Sequence, residues 1–399
     1  MRKTVAAAVA AAFGVLLPVP AQARAAGCDP VPAPGQVSRA MPYEDQVYDL
    51  DRLARVADGS GIRVAVIDSG VDTQHPQLDG HIAPGKDVLR RNRDARQDCI
   101  GHGTGVASII AAQPVDGVPF HGLAPGAVIV PVRVSEQETI DGRAVGEQVS
   151  PRQFAQAIDW ASDPRGGNAQ VINLSVVMIG RNDEVRDAVA RAVQRGVVVV
   201  AAVGNSGRAQ DSNPTPYPAA YDGVIGVGSV GADGLRADDS QHGNYVDVMA
   251  TGVGVTMAAP GSGHVAGKGT SFAAPFVAAT AALLKQRFPR LSPDEITQRI
   301  VATADPAPGG KRSDEYGYGL LNPYRALTET LAPEGAAPPP PAVVRRDDPA
   351  AVAREARRRH AQDRALLVAG FGAAAVVLLG SAAAVVRRGR RRGWRPASG

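Results

Sequence analysis

Residues 267–276 read Gly267-Lys-Gly-Thr-Ser-Phe-Ala-Ala-Pro-Phe276, and the apolar character continues to residue 284, broken only by one proline and one threonine. This pattern predicts a buried helix with Ser271 in its first turn. The N–H groups of a first turn have no partner within the helix and lie at the positive end of its dipole. A serine there can use its own N–H to stabilise an oxyanion formed by attack of its side chain. An ordinary helix-capping serine is the alternative.

Upstream of this stretch, short runs rich in valine and isoleucine alternate with helix-like segments. The runs are residues 63–67, 128–132, 170–174, 197–203 and 224–229. The helix-like segments are residues 102–112, 151–162, 183–195, 271–287 and 292–303. Alternation of this kind predicts an α/β fold with a mostly parallel sheet and helices on both faces. Ligands of such sheets bind beyond the carboxyl ends of the strands.

Two residues with catalytic chemistry stand at such positions. Asp68 ends the first run, within Val64-Ala-Val-Ile-Asp-Ser-Gly70, and a loop-capping aspartate is its alternative interpretation. His102 opens a predicted helix within Gly101-His-Gly-Thr-Gly-Val-Ala-Ser108. Histidine transfers protons near neutral pH, and the flanking glycines leave its ring approachable. A helix-capping histidine is the alternative.

Asn205 ends the fourth run, within Ala201-Ala-Val-Gly-Asn-Ser-Gly207. Its amide can donate a hydrogen bond to an oxyanion, and a turn asparagine is the alternative. The remaining histidines lack comparable flanks and are interpreted as surface or loop residues without metal-ligand spacing. They are His75, His81, His121, His242, His264 and His360. No metal or other cofactor is predicted.

The chain order Asp68, His102, Asn205, Ser271 is that of the subtilisins. The motifs Val66-Ile-Asp-Ser-Gly70, Gly101-His-Gly-Thr104 and Gly269-Thr-Ser-Phe-Ala-Ala-Pro275, with Gly204-Asn205, resemble those of the subtilisin-like (peptidase S8) serine proteases. The resemblance covers residues 60–330 and implies a three-layer fold and catalysis by acyl transfer. It implies Ser271 as the nucleophile, His102 as the base and Asp68 as its orienting partner, with an oxyanion hole at Asn205.

The resemblance also implies two walls of a substrate pocket. One is Ser175-Val176-Val177, where the family usually has Ser-Leu-Gly, so that Val177 either narrows the pocket or changes the approach of the backbone, and broad specificity is not expected. The other is Ala202-Val203-Gly204. Calcium is common in subtilisins, but the sequence offers no oxygen-rich loop to assign to it.

The two ends of the chain predict export and membrane anchoring. Residues 1–23 have the cationic start, apolar core and Ala21-Gln22-Ala23 cleavage site of a signal peptide. Residues 365–386 are uncharged and long enough to span a bilayer, which takes about 20 residues. The basic tail 387–399 is predicted to be cytoplasmic, and the catalytic domain extracytoplasmic. Because arginines also precede the span, the cleaved signal decides this orientation.

Charge is divided unequally along the chain. The net charge is +4, of which residues 1–24 carry +3 and residues 343–399 carry +9, which leaves −8 for residues 25–342. The acidic globular part gives no electrostatic support for nucleic-acid binding.

Between the two ends, three segments are predicted. Residues 24–60 form an irregular extension lying over a domain, 61–332 form one protease domain, and 333–364 form a proline-rich and charged linker. Cys28 and Cys99 are predicted to form a disulfide, as cysteine pairs in exported proteins do, with two free thiols as the alternative. The extension is too short for a folding prodomain and is therefore predicted to be retained.

This arrangement of segments resembles the mycosins, the membrane-anchored proteases of type VII secretion systems. The resemblance implies a membrane-anchored serine endopeptidase that acts on protein or peptide substrates beside a secretion membrane complex. Two alternatives stay open. One is a structural stabiliser of that complex in which catalysis is secondary, and the other is a secreted scavenging protease.

Overall fold

The computed structural model describes residues 28, 32–90, 94–140, 143–207, 213–331 and 387–388. The predicted signal peptide 1–23, linker 333–364 and membrane span 365–386 lie outside these residues, as does the tail beyond residue 388. No helix among the described residues is long and apolar enough to cross a membrane.

The strands of these residues form one large sheet and three small ones. In chain order they are β1 (Arg63–Asp68), β2 (Lys86–Asp87), β3 (Val128–Arg133), β4 (Glu138–Ile140), β5 (Arg143–Val145), β6 (Val171–Leu174), β7 (Met178–Ile179), β8 (Val198–Ala202), β9 (Pro216–Tyr217), β10 (Val224–Val230), β11 (Val248–Thr251), β12 (Val253–Ala258) and β13 (His264–Lys268). The large sheet has the order β11-β10-β8-β6-β1-β3-β2, and all its neighbouring strands are parallel. The antiparallel pairs are β4-β5, β7-β9 and β12-β13.

Helices cover both faces of the large sheet. They are α1 (Tyr43–Tyr48), α2 (Leu50–Ala54), α3 (His102–Ala111), α4 (Pro151–Ser162), α5 (Asp183–Gln194), α6 (Thr270–Arg287), α7 (Pro293–Ala302) and α8 (Pro323–Thr328). Alternate residues of β1 point to opposite layers: Val64 and Val66 pack with α3 and α6, whereas Ala65 and Ile67 pack with α4. This confirms the predicted three-layer α/β fold with a mostly parallel sheet.

The long helix α6 lies against the centre of the sheet and is buried on nearly all sides. A helix with apolar residues all round is stable only in such a position. It begins after Gly269, and Pro275 lies inside it. Proline has no N–H, so the carbonyl of Ser271, four residues earlier, loses its helical partner. The Ser175 hydroxyl donates to that carbonyl instead, at 2.8 Å.

The prediction that the extension 24–60 is irregular is wrong for residues 43–54, which form α1 and α2. Tyr48 and Leu53 belong to the main hydrophobic core. The Tyr48 ring lies 5.0 Å from that of Phe276, and its hydroxyl accepts a hydrogen bond from the Thr251 N–H at 3.0 Å. These helices are too short to show a clear apolar period, and tertiary packing stabilises them.

The start of the extension is held at two points. Cys28 forms a disulfide with Cys99, with their Cα atoms 5.1 Å apart. Farther along, Gln36 pairs with His264, the first residue of β13, in an antiparallel bridge. The extension therefore runs along the β12-β13 hairpin and is fastened three residues before His102.

Candidate active site

A cleft of about 1390 Å³ opens beyond the carboxyl ends of β1, β6 and β8. Asp68 ends β1, His102 opens α3, Asn205 follows β8 and Ser271 lies in the first turn of α6. All four side chains line this cleft. Residues that are up to 203 positions apart in sequence thus meet at the edge where parallel sheets bind ligands.

Asp68 and His102 form a hydrogen-bonded pair. The His102 Nδ1 and Asp68 Oδ1 atoms are 2.7 Å apart, and the aspartate side chain is only 2% exposed. The same oxygen accepts the N–H of Ser69 at 2.7 Å. The ring of Phe272 packs at 5.0 Å from the imidazole. Because Asp68 occupies Nδ1 of the ring, Nε2 remains available to exchange a proton in the cleft.

The pKa of His102 is raised above its ordinary value. Burial of the ring opposes protonation, but the charge and hydrogen bond of Asp68, together with the charge of Asp98, outweigh it. A raised pKa means that the surroundings stabilise the imidazolium, which is the form that a general base reaches after taking a proton.

Ser271 and Ser175 exchange two hydrogen bonds. The Ser271 Oγ donates to the Ser175 carbonyl at 3.2 Å, and the Ser175 Oγ donates to the Ser271 carbonyl at 2.8 Å. Asn173 donates from Nδ2 to the Ser175 Oγ at 2.9 Å. The Ser271 hydroxyl hydrogen points to a backbone carbonyl in this state, so it must turn away from that carbonyl before it can be donated to His102.

The amide of Asn205 is fixed at the start of α6. Its Oδ1 accepts the N–H of Thr270 at 2.9 Å and the Thr270 hydroxyl at 3.0 Å. Because a backbone N–H can only donate, the atom facing it must be the amide oxygen. The Nδ2 group therefore remains as a donor, and the residue as a whole is exposed.

Four of the six predicted pocket residues line the cleft, namely Ser175, Val176, Val177 and Gly204. The other two, Ala202 and Val203, do not line it and are fully buried in the core. The reason is the position of β8, which lies between two strands and packs its side chains into the helical layers above and below. Val203 follows the strand and is buried in the same way, so that only the residues from Gly204 onwards reach the cleft.

Gly204 lies close to two side chains of the cleft. A Cβ added to it would meet the Gln241 Oε1 at 2.1 Å and the Val177 Cγ1 at 3.6 Å. Gln241 is buried, lines the cleft and donates its N–H to the Gly204 carbonyl at 3.0 Å. Gln241 is not predicted from the sequence, since nothing in its local sequence distinguishes it.

Two of the histidines that were interpreted as surface or loop residues are buried; His75 does lie in a loop, whereas His264 begins β13. His75 is 1% exposed and His264 is 7% exposed, and their ring centroids are 6.0 Å apart. Gln77 links them, because its N–H donates to the Nδ1 of His75 and its Oε1 lies 2.6 Å from the Nε2 of His264. Among the described residues, no group of three or more His, Cys, Asp or Glu side chains is arranged to hold a metal ion.

Comparison with known proteins agrees with this architecture. The model of the subtilase (peptidase S8) family matches residues 59–319. The chain is 32% identical to Mycosin-1 of Mycobacterium tuberculosis, with 80% of each chain covered. It is 37% identical to the thermophilic serine proteinase of Bacillus sp. strain AK1 over 72% of this chain, and it spans 65% of the length of that relative.

Solved structures include a serine protease, MycP1, described as an essential component of the type VII (ESX-1) secretion system. Its TM-score is 0.65 and its identity 32%, with 75% of this chain and 92% of that chain covered. The chain is a homologue of mycosin-1 and belongs to the subtilase family.

Proposed function

We propose that this chain is a serine endopeptidase that cleaves peptide bonds through an acyl-enzyme. The observation that supports this most directly is the meeting of the hydrogen-bonded Asp68–His102 pair, Asn205 and Ser271 in one cleft. Each of these residues stands at or just after a strand end, or at a helix start. The chain also belongs to a family whose members include named proteases.

In the proposed reaction the Ser271 Oγ turns from the Ser175 carbonyl and attacks the substrate carbonyl. His102 accepts the hydroxyl proton at Nε2 and later gives it to the leaving amine. Asp68 holds the ring and stabilises the imidazolium. The Ser271 N–H and the Asn205 Nδ2 donate to the oxyanion of the tetrahedral intermediate. Water then attacks the acyl-enzyme by the same path.

The pocket is proposed to be selective. Val177 and Gly204 face each other across a narrow space, and Gln241 fills the volume beneath the glycine. Cys28, Pro32 and Ala33 of the extension add a further wall to the cleft. A cleft with these walls is expected to accept few peptide sequences, so that the protease would cleave a small number of substrates.

We further propose that the protease is attached to the cell membrane by residues 365–386, with the catalytic domain outside and the basic tail inside. It would act beside a type VII secretion complex, a role named for its solved relative. Carbonate washing of membranes tests the attachment: the full-length chain should stay in the pellet, and its release into the wash would favour a secreted scavenging protease.

Labelling with a serine-reactive fluorophosphonate tests the catalytic proposal. The full-length chain should gain one adduct at Ser271, found by mass spectrometry, and Ser271→Ala should gain none. A well-folded wild type without an adduct would leave the proposal standing only if the extension covers the site. A variant that lacks residues 24–34 and carries Cys99→Ser keeps α1 and α2 but loses the part of the extension that lines the cleft. Absence of an adduct in this variant would contradict the proposal.

The alternative function is structural: the chain stabilises the secretion complex and catalysis is secondary. The observation in its favour is that a relative is described as an essential component of such a system.

A further inference from the structure

We propose that Asp98 is a positioning residue for the Asp68–His102 pair, a second buried carboxylate that holds the start of α3 and stabilises the imidazolium of His102. The proposal rests on the proposed protease function. Asp98 is 2% exposed and does not line the cleft, so it acts through His102 and does not touch the substrate.

Five donors converge on the Asp98 carboxylate. Oδ1 accepts from the Ser69 hydroxyl at 2.9 Å and from the N–H groups of Ile100 and Gly101 at 3.0 and 2.8 Å. Oδ2 accepts from the N–H and the hydroxyl of Thr104 at 2.8 and 2.7 Å. Three of these residues surround the start of α3, whose unpaired N–H groups favour an anion.

These partners identify Asp98 as an ionised carboxylate. The Ser69 oxygen already accepts the Gly103 N–H at 2.9 Å, and the Thr104 hydroxyl oxygen accepts the Asp72 N–H at 2.9 Å. In this arrangement both hydroxyl hydrogens point at Asp98. Burial raises the pKa of Asp98. A protonated carboxyl would instead have to donate to one of the two hydroxyls and would lose it as a donor, whereas an ionised carboxylate accepts from all five.

The same carboxylate connects both members of the catalytic pair. Ser69 follows Asp68 in the chain, and its hydroxyl links Asp98 to the N–H of Gly103, which follows His102. The two backbones are in contact here, because a Cβ on Gly103 would lie 2.1 Å from the Gly70 carbonyl. Displacing Asp98 would therefore move His102 relative to Asp68.

The charge of Asp98 also acts on the imidazole of His102. The charged groups that act on His102 are Asp68, at the end of β1, and Asp98, in the loop before α3. Both raise the pKa of His102. The next residue in the chain, Cys99, is fixed by its disulfide to Cys28, so the loop that carries Asp98 is covalently held.

The test uses the rate of fluorophosphonate labelling of Ser271 in the full-length chain as a function of pH, which requires no knowledge of the substrate. Labelling needs neutral His102, so its acid limb reports the pKa of that residue. Asp98→Asn keeps the shape of the side chain but removes its charge. It also replaces one acceptor oxygen by an NH₂ group, which faces donors such as the N–H and hydroxyl of Thr104. We expect its plateau rate to fall about 10- to 100-fold and its acid limb to move to lower pH.

Asp247→Asn is the matched control, since burial also raises the pKa of Asp247, which accepts the Gly226 N–H at 2.8 Å and does not line the cleft. It should leave the acid limb in place. An Asp98→Asn profile with the wild-type acid limb would overturn the proposal, whatever its rate. Absence of labelling both in the wild type and in the variant that lacks residues 24–34 and carries Cys99→Ser would instead contradict the protease function itself.

Ser69→Ala keeps the proposal testable if Asp98→Asn does not fold. It removes one of the five donors and the link to Gly103 but leaves the charge. We expect a rate several-fold below the wild type with an unchanged acid limb. A wild-type rate in Ser69→Ala would overturn the positioning role.

Discussion

At the scale of single residues, the proline inside α6 determines how the nucleophile is held. Pro275 leaves the Ser271 carbonyl without a helical donor, and the Ser175 hydroxyl takes that place. The first turn of α6 is thereby tied to the segment after β6, which forms one wall of the pocket. Pro275 leaves the Ser271 carbonyl free to accept, and Ser175 supplies the donor, so the two residues act on the same hydrogen bond.

Removal of the Ser175 hydroxyl tests this contact. Ser175→Ala leaves the Ser271 carbonyl and the Asn173 amide without a partner, and an unsatisfied buried polar group costs about 1–3 kcal/mol. We expect a loss of that size in the free energy of unfolding and slower labelling of Ser271. Ser229→Ala is the control, because the buried Ser229 hydroxyl has no partner in the described chain. Equal stabilities of the two variants would contradict the role of Ser175.

Asn205 invites a comparison of two substitutions. Asn205→Ala removes both the acceptor that holds Thr270 and the donor to the oxyanion, whereas Asn205→Asp keeps the acceptor, removes the donor and adds a negative charge beside the oxyanion. We expect both to slow the labelling of Ser271 by about 10²- to 10³-fold, the range measured for a lost oxyanion donor in a subtilisin. An aspartate variant that labels at the wild-type rate would assign Asn205 to holding the helix start alone.

At the scale of elements, the extension is attached through a neutral histidine. The Ser38 N–H donates to the His264 Nδ1 at 2.9 Å, so the ring proton lies on Nε2 and faces the Gln77 Oε1. Burial, together with the neighbouring His75, lowers the pKa of His264 to about 4. Protonation would set two N–H groups against each other at the junction between the extension and β13.

Acid should therefore weaken the fold through His264. A histidine of the unfolded chain titrates near pH 6.5. Between pH 6.5 and 4 the unfolded chain therefore binds a proton that the folded chain does not. The free energy of unfolding falls as the pH drops through this window, by up to about 3 kcal/mol. Urea unfolding at pH 7, 5 and 4 should show a steeper fall for the wild type than for His264→Gln. Parallel curves would contradict this.

The sequence predicted the regular elements well where a long apolar run defines them. All five predicted strands and all five predicted helices occur, with ends that agree within one residue, as for α4 at Pro151–Ser162. The remaining elements were not predicted, because each has only two to six residues, which is too few to show a period. They are the helices α1, α2 and α8 and the strands β2, β4, β5, β7, β9, β11, β12 and β13. Their formation depends on packing against distant parts of the chain.

At the scale of the whole molecule, four residues of the candidate site could be predicted because the fold fixes where strands end. Parallel strands have their carboxyl ends on one edge, so Asp68 and Asn205 had to lie near each other once the sheet was predicted. The supporting residues could not be found this way. Asp98 and Gln241 matter through contacts that only the folded chain makes, and neither stands in a pattern that its neighbours reveal.

The whole molecule also divides into an acidic globular part and basic ends, and this division supports a final prediction. Ser271→Ala changes only the cleft, whereas removal of residues 343–399 takes away the predicted span and a net charge of +9. In a strain without its own copy, we expect substrate cleavage to depend on Ser271 and secretion to depend on residues 343–399. Cleavage is measured on the cell surface, and secretion by the protein in the medium.

The serine variant then separates the two proposed functions. If Ser271→Ala abolishes cleavage and also impairs secretion, proteolysis is part of the secretion process. If it abolishes cleavage while secretion stays normal and only the deletion fails, the chain serves mainly as a stabiliser of the complex. Membrane levels of both variants are the control, because a variant that is degraded would mimic either loss. A deletion that secretes normally would contradict anchoring at a secretion complex, since nothing else on the chain is predicted to hold it in the bilayer.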